Sequence, residues 1–138
     1  MDIQRHFTHT EWEPKVGYCR ALRVGDLIYL SGTAPIGEDS NTFAPGDAYA
    51  QARRCFEIIQ TTLTAMDAGL HQVVRTRMYV TDISQWAAFG KAHQEFFGTH
   101  PPVTTMVEVK ALINADMLIE VEAEAFVGQR ENESAVSQ

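Results

Sequence analysis

The chain is poor in the features that hold metals, nucleic acids or bilayers. Cysteine occurs twice, at Cys19 and Cys55, and neither belongs to a CxxC or Cys/His cluster. That excludes the common zinc frameworks and leaves two free thiols, which suits a reducing cytoplasm. Positive charge is scarce: 11 Lys and Arg stand against 18 Asp and Glu, for a formal net charge of −7 and a pI of about 5.1. A nucleic-acid binder held by phosphate contacts wants a basic face, so nucleic acid is not an expected partner. No run of about 18 apolar residues is present, which leaves no candidate transmembrane helix. The opening "MDIQRHFTHTEW" lacks the apolar core of a signal peptide. Internal repeats and low-complexity blocks are also missing. The expectation is a cytoplasmic protein that does not engage a membrane.

What is present is globular. The 138 residues are 45% hydrophobic and 21% charged, the make-up of one domain with one core. The domain is expected over 1–127, with "GQRENESAVSQ" (128–138) as a polar tail. Along it, "QRHFTHTEWEP" begins with a short strand. "YCRALRVGDLIYLSG" reads as two strands around a Gly-Asp turn, with Ile28 and Leu30 on one face and Leu27, Tyr29 and Ser31 on the other. "TAPIGEDSNTFAPGD" is a loop. "DAYAQARRCFEIIQTTLTAMDAG" is a helix that Asp47 can cap and Gly69 can end, with Tyr49, Ala52, Phe56, Ile59, Leu63 and Met66 in one apolar stripe. "QVVRTRMYVTD" alternates as a strand, Val74, Thr76, Met78 and Val80 against Val73, Arg75, Arg77 and Tyr79. A second helix carries Trp86, Phe89, His93, Phe96 and Phe97 on one side. "PVTTMVEVKAL" and "MLIEVEAEAFV" are the last two strands. The order β-β-β-α-β-α-β-β implies an α+β fold with both helices on one face of a mixed sheet. The other face, polar and aromatic, is left for water or another subunit.

One strand raises a chemical question. In "LIEVEAEAFV" (118–127), Ile119, Val121, Ala123 and Ala125 share one face, and Glu120, Glu122 and Glu124 share the other. Either that face is solvated, or one of the acids sits in a pocket where a carboxylate is wanted. His93, alone on an apolar helix side, reads as a packed, hydrogen-bonded residue rather than a catalyst.

The ordered set "LIYLSGTAPI", a long helix, "VVRTRMYVTDISQW", "HQEFFGTHPPVTTMVEVKAL" and "LIEVEAEAF" resembles the reactive-intermediate deaminase family, also called Rid or L-PSP endoribonuclease-like. The resemblance covers about residues 16 to 127. It implies a chorismate-mutase-like fold and a homotrimer whose three sheets form a central barrel. It also implies small-molecule ligands in clefts between subunits, and hydrolysis of enamines and imines with no metal or cofactor. Other relatives are described as ribonucleases, and some lack deaminase activity.

Carried over position by position, the resemblance implies Glu120 as the group that positions or activates water, Tyr18 as a site tyrosine, and Ser31 and Gly32 as a backbone contact for the ligand. At Gly32 the missing Cβ lets a ligand come close. In "PPVTTMVEV" the chain departs from the pattern. Members that deaminate aminoacrylate carry an arginine where this sequence has Thr104, followed by a small polar residue, here Thr105, and often a cysteine, here Met106. Threonine can donate one hydrogen bond but cannot neutralise a carboxylate. Arg75 and Arg77, on the glutamate face of their strand, are candidate replacements. The competing reading pairs them with Glu122 or Glu124 across strands. An arginine from a neighbouring subunit, Arg20 or Arg23, is a further candidate. Two functions remain open: a hydrolase of an enamine, imine or related electrophile, and a non-catalytic small-molecule-binding or regulatory trimer. A ribonuclease is a weaker third.

Overall fold

The computed structural model describes residues 2–128. The expected polar tail, apart from Gly128, lies outside them. The elements run β1 (Ile3–His6), α1 (Trp12–Val16), β2 (Ala21–Val24), β3 (Leu27–Thr33), α2 (Ala48–Ala65), β4 (Val73–Val80), α3 (Trp86–Phe97), β5 (Val103–Glu108) and β6 (Ile119–Phe126). The strands form one mixed sheet in the order β1-β2-β3-β6-β4-β5. All neighbours are antiparallel except β4 and β5, whose parallel pairing requires the crossover that α3 supplies.

Local chemistry sets these boundaries. The β2–β3 hairpin turns at Gly25-Asp26, with Gly25 at φ +58°, a backbone that glycine adopts without steric cost. The Asp47 side chain accepts the Ala50 N–H at 3.0 Å and starts α2. The helix ends earlier than Gly69. Asp67 takes the left-handed conformation at φ +56°, while Ala68 N–H bonds to Leu63 O at 2.8 Å and Asp67 N–H to Thr64 O at 3.1 Å. This is a Schellman closure made by aspartate, one of the few non-glycine residues that accept this geometry.

Helices α2 and α3 cover one face of the sheet. Ala52, Cys55, Phe56, Ile59 and Leu63 of α2 and Phe89, Ala92 and Phe97 of α3 are buried against Ile28, Leu30, Met78, Val80, Ile119, Val121, Ala123 and Ala125. The α2 stripe is therefore wider than expected and takes in the Cys55 thiol. Three details depart from the sequence pattern. A short helix, α1, occupies "WEPKV". Trp86 is 62% exposed, at the start of α3 rather than in its buried side. A register shift between Val73 and Arg75 turns Val73 into the core and Val74 out of it, because the extra residue reverses the alternation at that point.

Phe56 holds the two helices together. Its ring meets Phe97 edge-on at 5.5 Å, Phe96 at 5.5 Å and the His93 ring at 5.6 Å. Phe56→Ala is expected to cost about 3–5 kcal/mol, read as a lower urea midpoint with an unchanged slope.

Candidate functional site

The sheet face away from the helices carries the three glutamates. In register, Glu120 lies opposite Tyr79, Glu122 opposite Arg77 and Glu124 opposite Arg75. Two of the three acids are partnered on this face. Arg77 Nη1 donates to Glu124 Oε1 at 2.9 Å, and the Tyr79 hydroxyl donates to Glu122. The Glu122 hydrogen bond, with burial, raises the Tyr79 pKa. Arg77 is thus engaged in cross-strand charge pairing, and Arg75 stands on the same face opposite Glu124. The structure places neither at Glu120.

Glu120 is different. Its side chain folds across Gly32 of β3, so that a Cβ added at Gly32 would collide with Glu120 Oε2. The pairing of β3 with β6 is irregular here: Leu30 faces Ala123 and Thr33 faces Val121, so β3 carries one residue more than β6. Arg20 braces this bulge. Its Nη2 donates to Ser31 O and to Gly32 O, each at 2.6 Å. The Ser31 hydroxyl donates to Cys19 O at 2.8 Å, and its N–H bonds to Arg20 O. Gly32, Tyr79, Glu120 and Glu122 form the polar wall of a cleft of about 350 Å³, which Val109, Ala111 and Leu112 close with apolar surface.

Burial raises the Glu120 pKa above the ordinary 4.5; Arg20 opposes this and Glu122 adds to it. Burial also lowers the Arg20 pKa against the favourable fields of Tyr18, Glu13 and Glu120. Arg20 Nε is buried without a hydrogen-bond partner among the described residues. This cation belongs to the same chain as Glu120, whereas the sequence suggests it only as a neighbour's contribution. A single arginine in a loop-to-strand segment gives no periodic signal; the bulge that it braces is what brings it in.

Tyr18 and Ser31 line a second, larger concavity of about 860 Å³, together with Phe7, Leu22 and Tyr29. Its rim is held by Glu13, a buried carboxylate on α1. Burial opposes ionisation of Glu13, but Thr8 N–H and Oγ1, at 3.1 and 2.5 Å, and Thr10 Oγ1, at 3.1 Å, hold its pKa low. Cys19 lines the same concavity as Tyr18. The two neighbours need not point to opposite sides, because residues 17–20 precede β2 and are not in a strand.

Thr104, Thr105 and Met106 lie elsewhere. β5 is an edge strand three positions from β3, a separation of roughly 14 Å at usual strand spacing. Thr105 pairs with Arg77 and faces the glutamate side; Thr104 and Met106 pair with Thr76 and Met78 and face the helix side. Thr104 Oγ1 accepts a hydrogen bond from Thr76 Oγ1 at 2.7 Å, and Thr76 Oγ1 lies 2.8 Å from His93 Nε2. Within one chain, then, Glu120 and Gly32 meet, Ser31 adjoins Gly32 and shares the larger concavity with Tyr18, and the Thr104–Met106 segment is remote. No group of three side chains suited to a metal ion occurs among the described residues, and no helix among them is long and apolar enough to cross a membrane.

Comparison with known proteins gives a consistent picture. The sequence pattern of the family described as Endoribonuclease L-PSP matches residues 8–127. A crystal structure from Mycobacterium tuberculosis, described as a member of the highly conserved YjgF/YER057c/UK114 family, superposes with a TM-score of 0.83 at 42% identity, covering 91% of this chain and 100% of that one. A RutC family protein of Pyrococcus abyssi is 33% identical over 120 residues, 87% of this chain and 94% of its own. The 3-aminoacrylate deaminase RutC of Acinetobacter baylyi is 29% identical over 114 residues, 83% of this chain and 90% of its own.

The electrostatics of Glu120 give a stability prediction. Its folded-state pKa lies above its unfolded value. Its favourable contribution is therefore full below the unfolded pKa of about 4.5 and is lost as pH rises through the folded pKa. Glu120→Gln, which stays neutral, should melt at or above the wild-type temperature at pH 7–8. The gap should close as pH falls below 4.5. A wild type that melts well above Glu120→Gln at pH 8 would contradict the assignment.

Proposed function

The chain belongs to the endoribonuclease L-PSP, or Rid, family, and we propose that it hydrolyses an enamine, imine or related small electrophile, without a cofactor, in a cleft between copies of the chain. The observation that carries this reading is Glu120: a half-buried carboxylate of raised pKa, laid over a glycine, with its two strand-mates engaged elsewhere. A carboxylate in that setting is a competent base near neutrality. The reaction class is supported by the relative named as a 3-aminoacrylate deaminase.

The chemistry is simple to balance. Glu120 takes a proton from water as the water oxygen attacks the imine carbon. The tetrahedral amino alcohol collapses to a carbonyl when the protonated amine leaves as ammonia. Overall, R₂C=NH and H₂O give R₂C=O and NH₃. Tyr18 offers a phenolic donor beside the reacting group, and Gly32 leaves room for a ligand at the backbone.

The trimer enters through geometry. A small ligand cannot touch Ser31 and Thr105 of one chain across roughly 14 Å. The sheet face away from the helices also exposes Leu27, Tyr29, Val103, Val107 and Phe126. A neighbour that lays its β5 edge beside Glu120 would cover that apolar surface and complete the cleft. Sedimentation should accordingly give a species at three times the 15.4 kDa chain mass; a monomer would remove the composite cleft.

Thr104 favours a second reading, a ligand-binding trimer without turnover, since the family's carboxylate-holding arginine is replaced. The deciding assay follows ammonia and 2-oxo acid release from freshly generated 2-aminoacrylate and 2-iminopropanoate. Wild type should be slow on these carboxylates, and Thr104→Arg should gain at least tenfold. Adding Glu120→Gln to Thr104→Arg should remove that gain by about 100-fold or more. Undiminished turnover after that second change would refute the role of Glu120.

A further inference from the structure

On the helix side of the sheet, three side chains run in a line from the core to the sheet edge. His93 on α3 is half-buried between the rings of Phe56, 5.6 Å away and edge-on, and Phe97, 4.7 Å away. Its Nε2 lies 2.8 Å from Thr76 Oγ1, and Thr76 Oγ1 donates to Thr104 Oγ1 at 2.7 Å. Thr76 is fully buried in the middle of β4, whereas Thr104, its register partner on β5, is exposed at the edge.

The protons in this line can be counted. A hydroxyl has one hydrogen to give. In the outward arrangement Thr76 gives its hydrogen to Thr104 and can only accept from His93, whose Nε2 then carries the N–H; the inward arrangement reverses both bonds and puts the ring proton on Nδ1. In the outward one, Thr104 accepts from Thr76 and keeps its own hydrogen for whatever lies beyond the edge. All three groups then point the same way, and each bond polarises the next. Burial lowers the His93 pKa from its usual 6.5, so the ring is neutral near pH 7 and has a single N–H to place. Packing alone gives no reason for this arrangement. Valine would fill the Thr76 position, and an aromatic ring would fill that of His93, without burying polar atoms.

We propose that His93 and Thr76 are positioning residues that fix Thr104 as an outward hydrogen-bond donor, and that the substrate group held there is a neutral carbonyl or amide oxygen rather than a carboxylate. This rests on the reading above that β5 walls the cleft. One neutral donor satisfies a carbonyl oxygen. A carboxylate taken from water at the same place would need a cation. None is available from the arginines already described: Arg77 is paired with Glu124, and Arg20 braces the β3 bulge.

Two measurements on the full chain test this. Two-bond proton–nitrogen correlation of the His93 ring at pH 7.5 reports the tautomer and needs no ligand. The Nε2–H form is expected; the Nδ1–H form reverses the line and overturns the proposal, whatever the protein hydrolyses. The Thr104 methyl signal is then titrated with pyruvamide and with pyruvate, which differ in the charge of the group beside the ketone. Pyruvamide should bind at least tenfold more tightly. Thr76→Val should weaken it at least fivefold, and Thr76→Ser, which restores the hydroxyl, should recover it. His93→Gln, with an amide N–H to offer, should retain more affinity than His93→Phe. Tighter binding of pyruvate, or no response of Thr104 to either probe, overturns the proposal. Whether the hydrolase reading fails as well is read separately, from the dependence of turnover on Glu120.

Discussion

The packing of the Glu120 carboxylate across Gly32 constrains the strands on either side of it. A side chain at position 32 would occupy the space of the carboxylate, so glycine there is what lets Glu120 lie across β3. β3 also carries an extra residue at that point, and its carbonyls at Ser31 and Gly32 are gathered by one guanidinium nitrogen of Arg20. Arg20 in turn lies in the field of Glu13, which closes the loop of α1 through Thr8 and Thr10. The cleft, the bulge and the α1 loop are therefore one electrostatic unit. Its cost is a carboxylate held above its ordinary pKa, the kind of local penalty that a functional site imposes on an otherwise consistent fold.

The two faces of the sheet divide the labour differently. On the helix side the core is continuous and apolar apart from buried polar groups such as Thr33, Thr76 and Gln51, all hydrogen-bonded. Gln51 ties α2 to the strand-entry segment through Asp116 O and the Leu118 N–H. On the other side the charges are sorted. Arg77 and Glu124 neutralise each other, Tyr79 occupies Glu122, and among the described residues Glu120 faces the small cleft without such a partner. Cross-strand pairing thereby removes two acids from competition and leaves one chemically available.

Much of this was legible in the residues themselves. The 3.6-residue stripe of α2 and the two-residue alternation of "IEVEAEAF" specify their elements because each buries one complete face. The mixed sheet with both helices on one side follows from their order. Contacts that no local period encodes were not legible. Arg20 comes into the field of Glu120 by bracing a bulge, Val73 replaces Val74 in the core through a register shift, and Asp67 ends α2 through a left-handed turn that glycine was expected to make. Of the site residues carried over by resemblance, Glu120 and Gly32 meet within one chain, whereas Thr104 and Glu120 would meet only if a second copy brought them together. A single sequence does not encode that distance.

The central claim is that Glu120 is the base, with its pKa raised by its own burial. The most direct measurement follows the Glu120 carboxyl carbon by NMR across pH 3 to 9, alongside kcat/KM for an imine that the protein hydrolyses. The account predicts a Glu120 pKa above 4.5 that coincides with the acidic limb of the rate profile. An ordinary carboxylate pKa, or a rate limb that titrates independently of Glu120, would contradict it.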